Sequence, residues 1–200
     1  MKTKLKSGFV YFMLIMSVLV LSCGKDDEAE KLPCDETNTT FNQLYDDLVN
    51  NQGYINQVTM DTEIHEYTFE IYIQKDICQI GYESQHDDPL KNYTIEIEDK
   101  TNNIILYTGN HNFSGGGTVY QPINPAITIQ QGNIYTIRRI QTDWAPLIHN
   151  TIGRLLQEPN SVMVFPYTWG DLTIISSNFY QNGGPAPNFA IPYIDIVFSN

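Results

Sequence analysis

Basic residues are scarce in this chain. Its 200 residues include 11 Lys and Arg against 23 Asp and Glu, so the formal net charge is −12. The three arginines, Arg138, Arg139 and Arg154, form no broad basic patch. Proteins that bind nucleic acid use clustered Lys and Arg to neutralise phosphates, and an acidic surface repels them. The composition therefore argues against DNA or RNA as a partner.

Motifs for catalysis and for metal binding are also lacking. The chain has no G-x-S-x-G segment to present a nucleophilic serine, and its histidines do not follow H-E-x-x-H spacing. His86-Asp87-Asp88 with Glu83 offers fewer oxygens than Ca²⁺ prefers, so we interpret it as a solvated acidic loop. Gly115-Gly116-Gly117 precedes a β-branched run rather than a helix, which indicates a hairpin tip and not a phosphate site. We predict no catalytic residue, metal or cofactor.

Long apolar runs are absent except near the N-terminus. Residues 9–21 form an apolar stretch of 13 residues, preceded by Lys2, Lys4 and Lys6. A helix needs about 20 apolar residues to cross a bilayer, whereas a positive segment before a shorter run is typical of a secretory signal. We predict a signal peptide at residues 1–22. Its removal leaves 8 basic against 23 acidic residues, a net charge of −15.

The residues around Cys23 indicate how the signal ends. Leu21-Ser22-Cys23-Gly24 resembles a bacterial lipoprotein signal, and Lys25-Asp26-Asp27-Glu28 is similar to the stretch after the acylated cysteine in surface lipoproteins of the Bacteroidota. The resemblance implies that Cys23 is lipidated and anchors the protein in the bacterial outer membrane, exposed at the cell surface. An ordinary cleaved signal and an uncleaved signal anchor are the alternatives. The membrane is thus the first expected partner.

Cysteine is rare, and Cys34 and Cys78 are the only two besides Cys23. A secreted chain meets an oxidising environment, where a disulfide between them can form. It would close a loop of about 45 residues, which loop-closure entropy values at about 4 kcal/mol. The alternative is two unpaired thiols, with Cys78 buried in a strand.

The rest of the chain divides into a lipidated flexible tether at residues 23–40 and a single domain at residues 41–200. Thr40 and Gln43 have the spacing of a capping box. Phe41, Leu44 and Leu48 then recur with helical period, which predicts a short helix ended by Gly53.

Beyond about residue 63 the apolar residues alternate with period two, as in half-buried strands. The predicted strands are Glu66–Ile73, Ile77–Glu83, Tyr93–Glu98, Ile104–Thr108, Thr118–Tyr120, Ile127–Gln130, Ile134–Ile140, Val162–Phe165, Leu172–Phe179 and Ile191–Phe198. Residues 144–156 fit a short helix or an irregular loop. The fold class is therefore mainly β, an antiparallel, jelly-roll-like β-sandwich with a short N-terminal helix. Residues 63–140, through Gly132-Asn133-Ile134-Tyr135, resemble jelly-roll domains of the PHR type.

Aromatic residues provide the functional hint. Four lie at or near predicted loop edges: Trp144, Tyr167, Trp169 and Tyr180. Rings at the rim of a sandwich suit sugar stacking or a protein contact, while the alternative is that they close the ends of the core. The leading hypothesis is a non-enzymatic, membrane-anchored surface module that binds a glycan or a protein. The alternatives are a glycan-directed hydrolase using Asp171 or Asp195, and a structural component of the cell envelope.

Overall fold

A computed structural model of the chain describes residues 34–60, 62–84, 92–141, 152–159, 162–181 and 184–199. These residues belong to a unit that runs from Pro33 to Asn200. Cys23, Trp144 and the His86-Asp87-Asp88 segment lie outside the described residues. Within the described ranges, no helix has both the length and the apolar character needed to cross a bilayer.

The described residues form one helix and thirteen strands. In chain order they are α1 (Thr40–Gln52), β1 (Ile55–Met60), β2 (Ile64–Ile71), β3 (Lys75–Tyr82), β4 (Tyr93–Asp99), β5 (Ile104–His111), β6 (Val119–Ile129), β7 (Tyr135–Ile140), β8 (Ile152–Gln157), β9 (Tyr167–Trp169), β10 (Leu172–Gln181), β11 (Gly184–Pro185), β12 (Ile191–Pro192) and β13 (Ile194–Phe198).

These strands form three sheets, and every strand pairing in them is antiparallel. The largest has seven strands in the order β11-β10-β2-β7-β4-β5, with β9 beside β10. The other two have the orders β13-β3-β6 and β1-β8-β12. The predicted class, a mainly β antiparallel sandwich with one short helix, is confirmed. The jelly-roll topology stays a prediction.

The core lies where the alternating apolar side chains of the sheets face inward. In β2, Tyr67, Phe69 and Ile71 are buried while the residues between them are half-buried, and β4 repeats this pattern. Helix α1 adds Phe41, Leu44, Tyr45 and Leu48 to the same core cluster. The amphipathic helix is therefore held by burial of its apolar face rather than by its own propensity.

The start of α1 differs by one residue from the prediction. Thr39, not Thr40, is the N-cap, because its hydroxyl accepts a hydrogen bond from the backbone N–H of Asn42. Gln43 donates instead to the carbonyl of Asn38. Gly53 ends the helix in the left-handed conformation, with φ of 77°. Thr39 is buried, so the described start of the domain includes residues that the sequence assigned to the tether.

Several predicted strands are wrong in extent or in kind, among them the two described next. Strand β2 ends at Ile71, and Ile73 is 57% exposed in the turn after it, because it lies beyond the last ladder pairing with β10. Val162–Phe165 is an irregular segment rather than a strand, in which Met163 N–H bonds the carbonyl of Asn188.

Strand β6 joins two strands that the sequence separates. It runs through Pro122 and Pro125, which lack a backbone donor. This is tolerated because β6 is an edge strand of its sheet. The Gly115–Gly117 segment connects β5 to β6, and these two strands lie in different sheets, so the predicted hairpin tip is wrong. The stretch left open between helix and loop, residues 144–156, overlaps β8 from Ile152 onward.

One end of the sandwich gathers four turns and the start of the described chain. The turns are residues 72–74, 100–103, 130–134 and 170–171, and hydrogen bonds link Tyr72 to Asp171 and Lys100 to Ile134. Cys34 forms a β-bridge with Ser199 at the end of β13, and the N–H of Ser199 bonds the carbonyl of Asp76. We call this the Cys34 end.

Candidate ligand-binding face

Of the predicted binding aromatics, the three that the structure describes, Tyr167, Trp169 and Tyr180, do not lie together. Tyr167 and Trp169 lie on β9, whereas Tyr180 lies near the other terminus of β10. Trp169 pairs with Leu172 and Tyr180 pairs with Ile64. Eight residues of one strand, about 25 Å, therefore separate the two positions.

Tyr167 is held inside the fold. Its hydroxyl lies 2.6 Å from the hydroxyl of Tyr54 and accepts a hydrogen bond from the backbone of Val164. Its ring packs edge-on against Tyr54 and Phe165 and contacts the main core cluster. These contacts favour the alternative in which this ring closes the end of the core.

Trp169 is at the Cys34 end and is 37% exposed. Its indole Nε1 donates to the side-chain oxygen of Gln43 on α1, at 2.9 Å. The ring is thus fixed against the helix by its polar edge while part of it stays open to the surroundings.

Tyr180 faces the outer side of the seven-stranded sheet. Its hydroxyl donates to Glu66 Oε1 at 3.1 Å. Burial and the neighbouring carboxylate of Glu66 raise the pKa of Tyr180 above its usual value. The phenol therefore stays protonated at neutral pH and keeps its role as a donor.

Next to Tyr180, three glutamates bind one arginine. Arg138 donates from Nε to Glu66, from Nη1 to Glu96 and from Nη2 to Glu98, each at 2.6 Å. Strand β7 lies between β2 and β4, and Arg138 pairs directly with Glu66 on one side and Glu96 on the other. Because directly opposed residues share a face, all four side chains lie on the outer side.

Charge dominates the chemistry of this cluster. Burial alone would lower the pKa of Arg138, but its hydrogen bonds with Glu98, Glu66 and Glu96 outweigh this and raise it. The guanidinium stays charged, so the four groups together carry a net charge of −2 when the glutamates are ionised. The side chains remain partly accessible, with Arg138 18% and Glu96 23% exposed.

Threonine hydroxyls extend the polar surface around the arginine. Thr68 and Thr136 share a hydrogen bond at 3.1 Å, and Thr94 donates to Asn110 at 2.9 Å. We call the surface the Arg138 face, and its members are Glu66, Thr68, Thr94, Glu96, Glu98, Thr136, Arg138 and Tyr180. It combines fixed carboxylates, a guanidinium, hydroxyls and one aromatic ring.

Asp195, a candidate nucleophile or acid in the hydrolase alternative, is fully buried. Its carboxylate accepts hydrogen bonds from Thr39 Oγ1 at 2.7 Å and from the hydroxyl of Tyr120 at 2.8 Å. Burial raises the pKa of Asp195 to about 6, while the bonds from Thr39 and Tyr120 act in the opposite direction. Asp195 thus ties β13 to β6 and to the N-cap of α1.

The surroundings of Asp195 are also filled by protein groups. Asn42 donates from Nδ2 to the Tyr120 hydroxyl, and the Tyr193 hydroxyl donates to Asn42 Oδ1. The ring of Tyr120 lies across Gly81, where an added Cβ would meet its Cε1 at 2.5 Å. The strand needs glycine here because any side chain would displace the ring that binds Asp195.

Asp171, the other hydrolase candidate, lies elsewhere. It forms an ion pair with Lys75 at 3.0 Å and its side chain is 34% exposed. Asp195 pairs with Gly81, which is six residues, or about 20 Å, along β3 from Lys75. The two aspartates therefore do not form a carboxylate pair across one cleft.

The remaining predicted site residues are the cysteines. Cys34 and Cys78 form a disulfide with their Cα atoms 6.1 Å apart. Within the described part of the chain, no group of three or more His, Cys, Asp or Glu side chains could hold a metal ion.

The Arg138 face was missed as a site by sequence reasoning. The alternation in β2 and β4 predicted that Glu66, Glu96 and Glu98 point outward, and this is observed. That Arg138 stands between them depends on β7 lying between β2 and β4, which the sequence does not show. Comparison with known proteins gives no further guide, since no family model and no curated protein matches the chain.

Proposed function

We propose that this chain is a membrane-anchored surface lipoprotein whose β-sandwich binds a glycan through the Arg138 face without chemical turnover. The anchor is proposed from the residues around Cys23, which resemble a lipoprotein signal. The observation that supports ligand binding is the arrangement of Arg138 between three glutamates beside the ring of Tyr180.

The chemistry of this face suits a hydroxyl-rich ligand. Carboxylates accept hydrogen bonds from sugar hydroxyls, and the flat ring of Tyr180 can pack against a sugar while its hydroxyl stays bonded to Glu66. The network of Arg138 fixes the carboxylates before a ligand arrives, which lowers the entropy lost on binding. The acidic protein would repel a phosphorylated ligand, so a neutral or cationic glycan fits best.

The contacts of the two aspartates support binding over hydrolysis. Both hydrogen-bonding partners of Asp195 are protein hydroxyls in a buried network, so a substrate would have to displace Tyr120 or Thr39. Asp171 is engaged by Lys75. Glycoside hydrolysis uses two carboxyl groups on either side of one bond, and these two do not meet that geometry.

The test is a screen of neutral and amino-sugar glycans with purified protein, followed by calorimetry on matched variants. Tyr180→Phe removes the hydroxyl that fixes Glu66 Oε1 before the ligand arrives, so we expect affinity to fall about 5- to 10-fold through the lost preorganisation of this carboxylate. Tyr72→Phe is the control, because Tyr72 also carries a bonded hydroxyl but lies at the Cys34 end. Equal binding by both variants would contradict the assignment of the site.

Two further outcomes separate the parts of the proposal. A Cys23→Ala protein should lose its acyl label and its membrane fractionation, and unchanged fractionation would overturn the anchor. If the Arg138 face binds a protein and no glycan, the role as a binding module stands and the ligand class is wrong.

A further inference from the structure

The folded domain receives the rest of the chain at the Cys34 end. Cys34 pairs with Ser199 beyond the last residue of β13, whereas Thr39 bonds Asp195 near the first. From Cys34 the chain therefore runs into the sandwich along β13.

The length of chain before Cys34 limits the distance to a lipid anchor. Cys34 is eleven residues after Cys23. Eleven residues span at most about 40 Å when fully extended, and less in any other conformation. A sandwich whose longest strands have 10 and 11 residues is itself about 35 Å long. An anchor at Cys23 would therefore keep the Cys34 end within about 40 Å of the bilayer, whereas the far end of the sandwich could lie about 35 Å beyond it.

That end carries a group of exposed apolar side chains at the tips of its turns. Tyr72 is 49% and Ile73 57% exposed in the first turn, and Trp169 is 37% exposed beside the last. Ile104, 53% exposed, directly follows the turn at residues 100–103. Ile134, 40% exposed, is the last residue of the turn at residues 130–134. We call these five residues the apolar tips.

The chemistry of the apolar tips matches a lipid interface. Trp and Tyr are enriched where headgroups meet hydrocarbon, since each ring has an apolar body and a polar edge. The polar edge of Trp169 is bonded to Gln43, which leaves its apolar part to face outward. The neighbouring Asp171 is paired with Lys75, so its charge is offset on that turn beside Trp169.

We propose that the apolar tips are a second, non-covalent contact with the membrane, which enter the headgroup region of a bilayer when Cys23 is anchored in it. This inference rests on the lipid anchor of the proposed function. A domain in contact with lipid at the Cys34 end stands with its strands directed away from the bilayer. Tyr180, at the opposite end of β10, would then be held toward the surroundings, where a ligand can reach it.

The experiment uses the full-length lipidated protein in vesicles of zwitterionic phosphatidylcholine. Trp144→Phe leaves Trp169 as the single tryptophan, and bromine atoms on the lipid chains quench a tryptophan that enters the interface. We expect Trp169 emission to fall at least twofold in brominated vesicles relative to ordinary ones. The same result is measured independently as the difference between the wild type and Trp169→Phe, in case Trp144→Phe disturbs folding.

Matched aspartate substitutions test which surface enters the lipid. Ile73→Asp places a charge on an apolar tip and should remove at least half of the quenching, while the protein still floats with the vesicles through its acyl chains. Val58→Asp is the control, because Val58 is 52% exposed on β1 and pairs with Arg154, whose side chain reaches Glu83 near the other end. It should leave quenching unchanged.

The outcomes distinguish this inference from the proposal beneath it. A protein that floats with the vesicles but shows no quenching of Trp169 overturns the membrane contact and leaves the anchor in place. Quenching that survives Ile73→Asp also overturns it. A protein that carries no acyl label and does not float overturns the anchor itself, and the membrane contact with it.

Discussion

Replacing Asp195 with Asn should change how the stability of this domain depends on pH. The carboxyl group is buried, and its two hydrogen bonds come from Thr39 and Tyr120. Asn has nearly the same shape as a protonated aspartic acid but cannot ionise. The variant therefore keeps the packing of the site and removes its titration.

The sign of the effect is set by the direction of the pKa shift. Burial raises the pKa of Asp195 from 3.8 to about 6, so the folded protein holds this proton more tightly than the unfolded chain. The stability that the group contributes is complete below pH 4 and is lost as the pH rises through 6. A difference of about 2 between the pKa of Asp195 in the folded protein and in the unfolded chain corresponds to about 3 kcal/mol of unfolding free energy.

The assay is equilibrium unfolding in urea at several pH values between 4 and 8, at constant ionic strength and with the disulfide intact. Groups that titrate in both proteins cancel in the difference between the variant and the wild type. We expect the two proteins to differ by less than about 1 kcal/mol near pH 4, the scale of one hydrogen bond. Near pH 7.5 the Asp195→Asn variant should have gained about 2 to 3 kcal/mol relative to the wild type.

A second variant, Tyr120→Phe, should increase the dependence of stability on pH that Asp195→Asn removes. Tyr120→Phe removes a hydrogen bond that favours the ionised form of Asp195, so the pKa of Asp195 should rise further and the loss of stability should extend to higher pH. A difference in unfolding free energy between Asp195→Asn and the wild type that stays constant from pH 4 to 8 would mean that Asp195 does not titrate in this range, contrary to this prediction.

Three other substitutions test single contacts, each by unfolding in urea. Gly81→Ala should cost about 1 to 3 kcal/mol, since the new Cβ must displace the ring of Tyr120. Replacing Cys34 and Cys78 together with serine should cost about 4 kcal/mol, the loop-closure value for a separation of 44 residues. Thr39→Ala should cost about 1 to 2 kcal/mol, because it removes the helix cap and one donor to a buried carboxylate.

Each of these three substitutions has a control variant or a result that would contradict the expected effect. Gly117→Ala is the match for Gly81→Ala, because an added Cβ at residue 117 meets no atom within 4 Å. Equal stability of these two variants would show that the ring over Gly81 moves freely. If the oxidised protein gains no mass equivalent to two hydrogens on reduction, the disulfide is absent. Asn38→Ala leaves the cap intact, so a cost equal to that of Thr39→Ala would contradict the role of the Thr39 hydroxyl.

The spacing of apolar residues along the sequence predicted much of the fold. The alternation in β2 and β4 reflects burial of one sheet face, and both strands are found, although β2 ends at Ile71 rather than at Ile73. The period-two pattern does not predict a strand that buries more or less than one of its two faces. Strand β6 has exposed residues in its middle and two prolines, which an edge position tolerates, so its sequence lacks the pattern of a half-buried strand.

The candidate site depended on information that no local pattern contains. The outward direction of Glu66 and Glu96 can be read from alternation alone, but the arginine that joins them comes from a strand about 40 to 70 residues away in the chain. The exposure of an aromatic ring likewise depends on contacts with residues that are distant in the chain. Tyr167 and Trp169 are two residues apart. Tyr167 bonds Tyr54 and packs against the core, whereas Trp169 bonds Gln43 and stays 37% exposed.

The disulfide would have a mechanical consequence if the chain is anchored through Cys23 as proposed. A ligand that pulls on the domain, with its force carried through the residues before Cys34, loads the covalent path from Cys34 directly to Cys78 in β3. Helix α1 and strands β1 and β2 lie in the bypassed loop. While the bond is intact, tension cannot extend these residues, so a chain length of about 150 Å stays out of reach of the pulling force. The domain would unravel under load only from β3 onward.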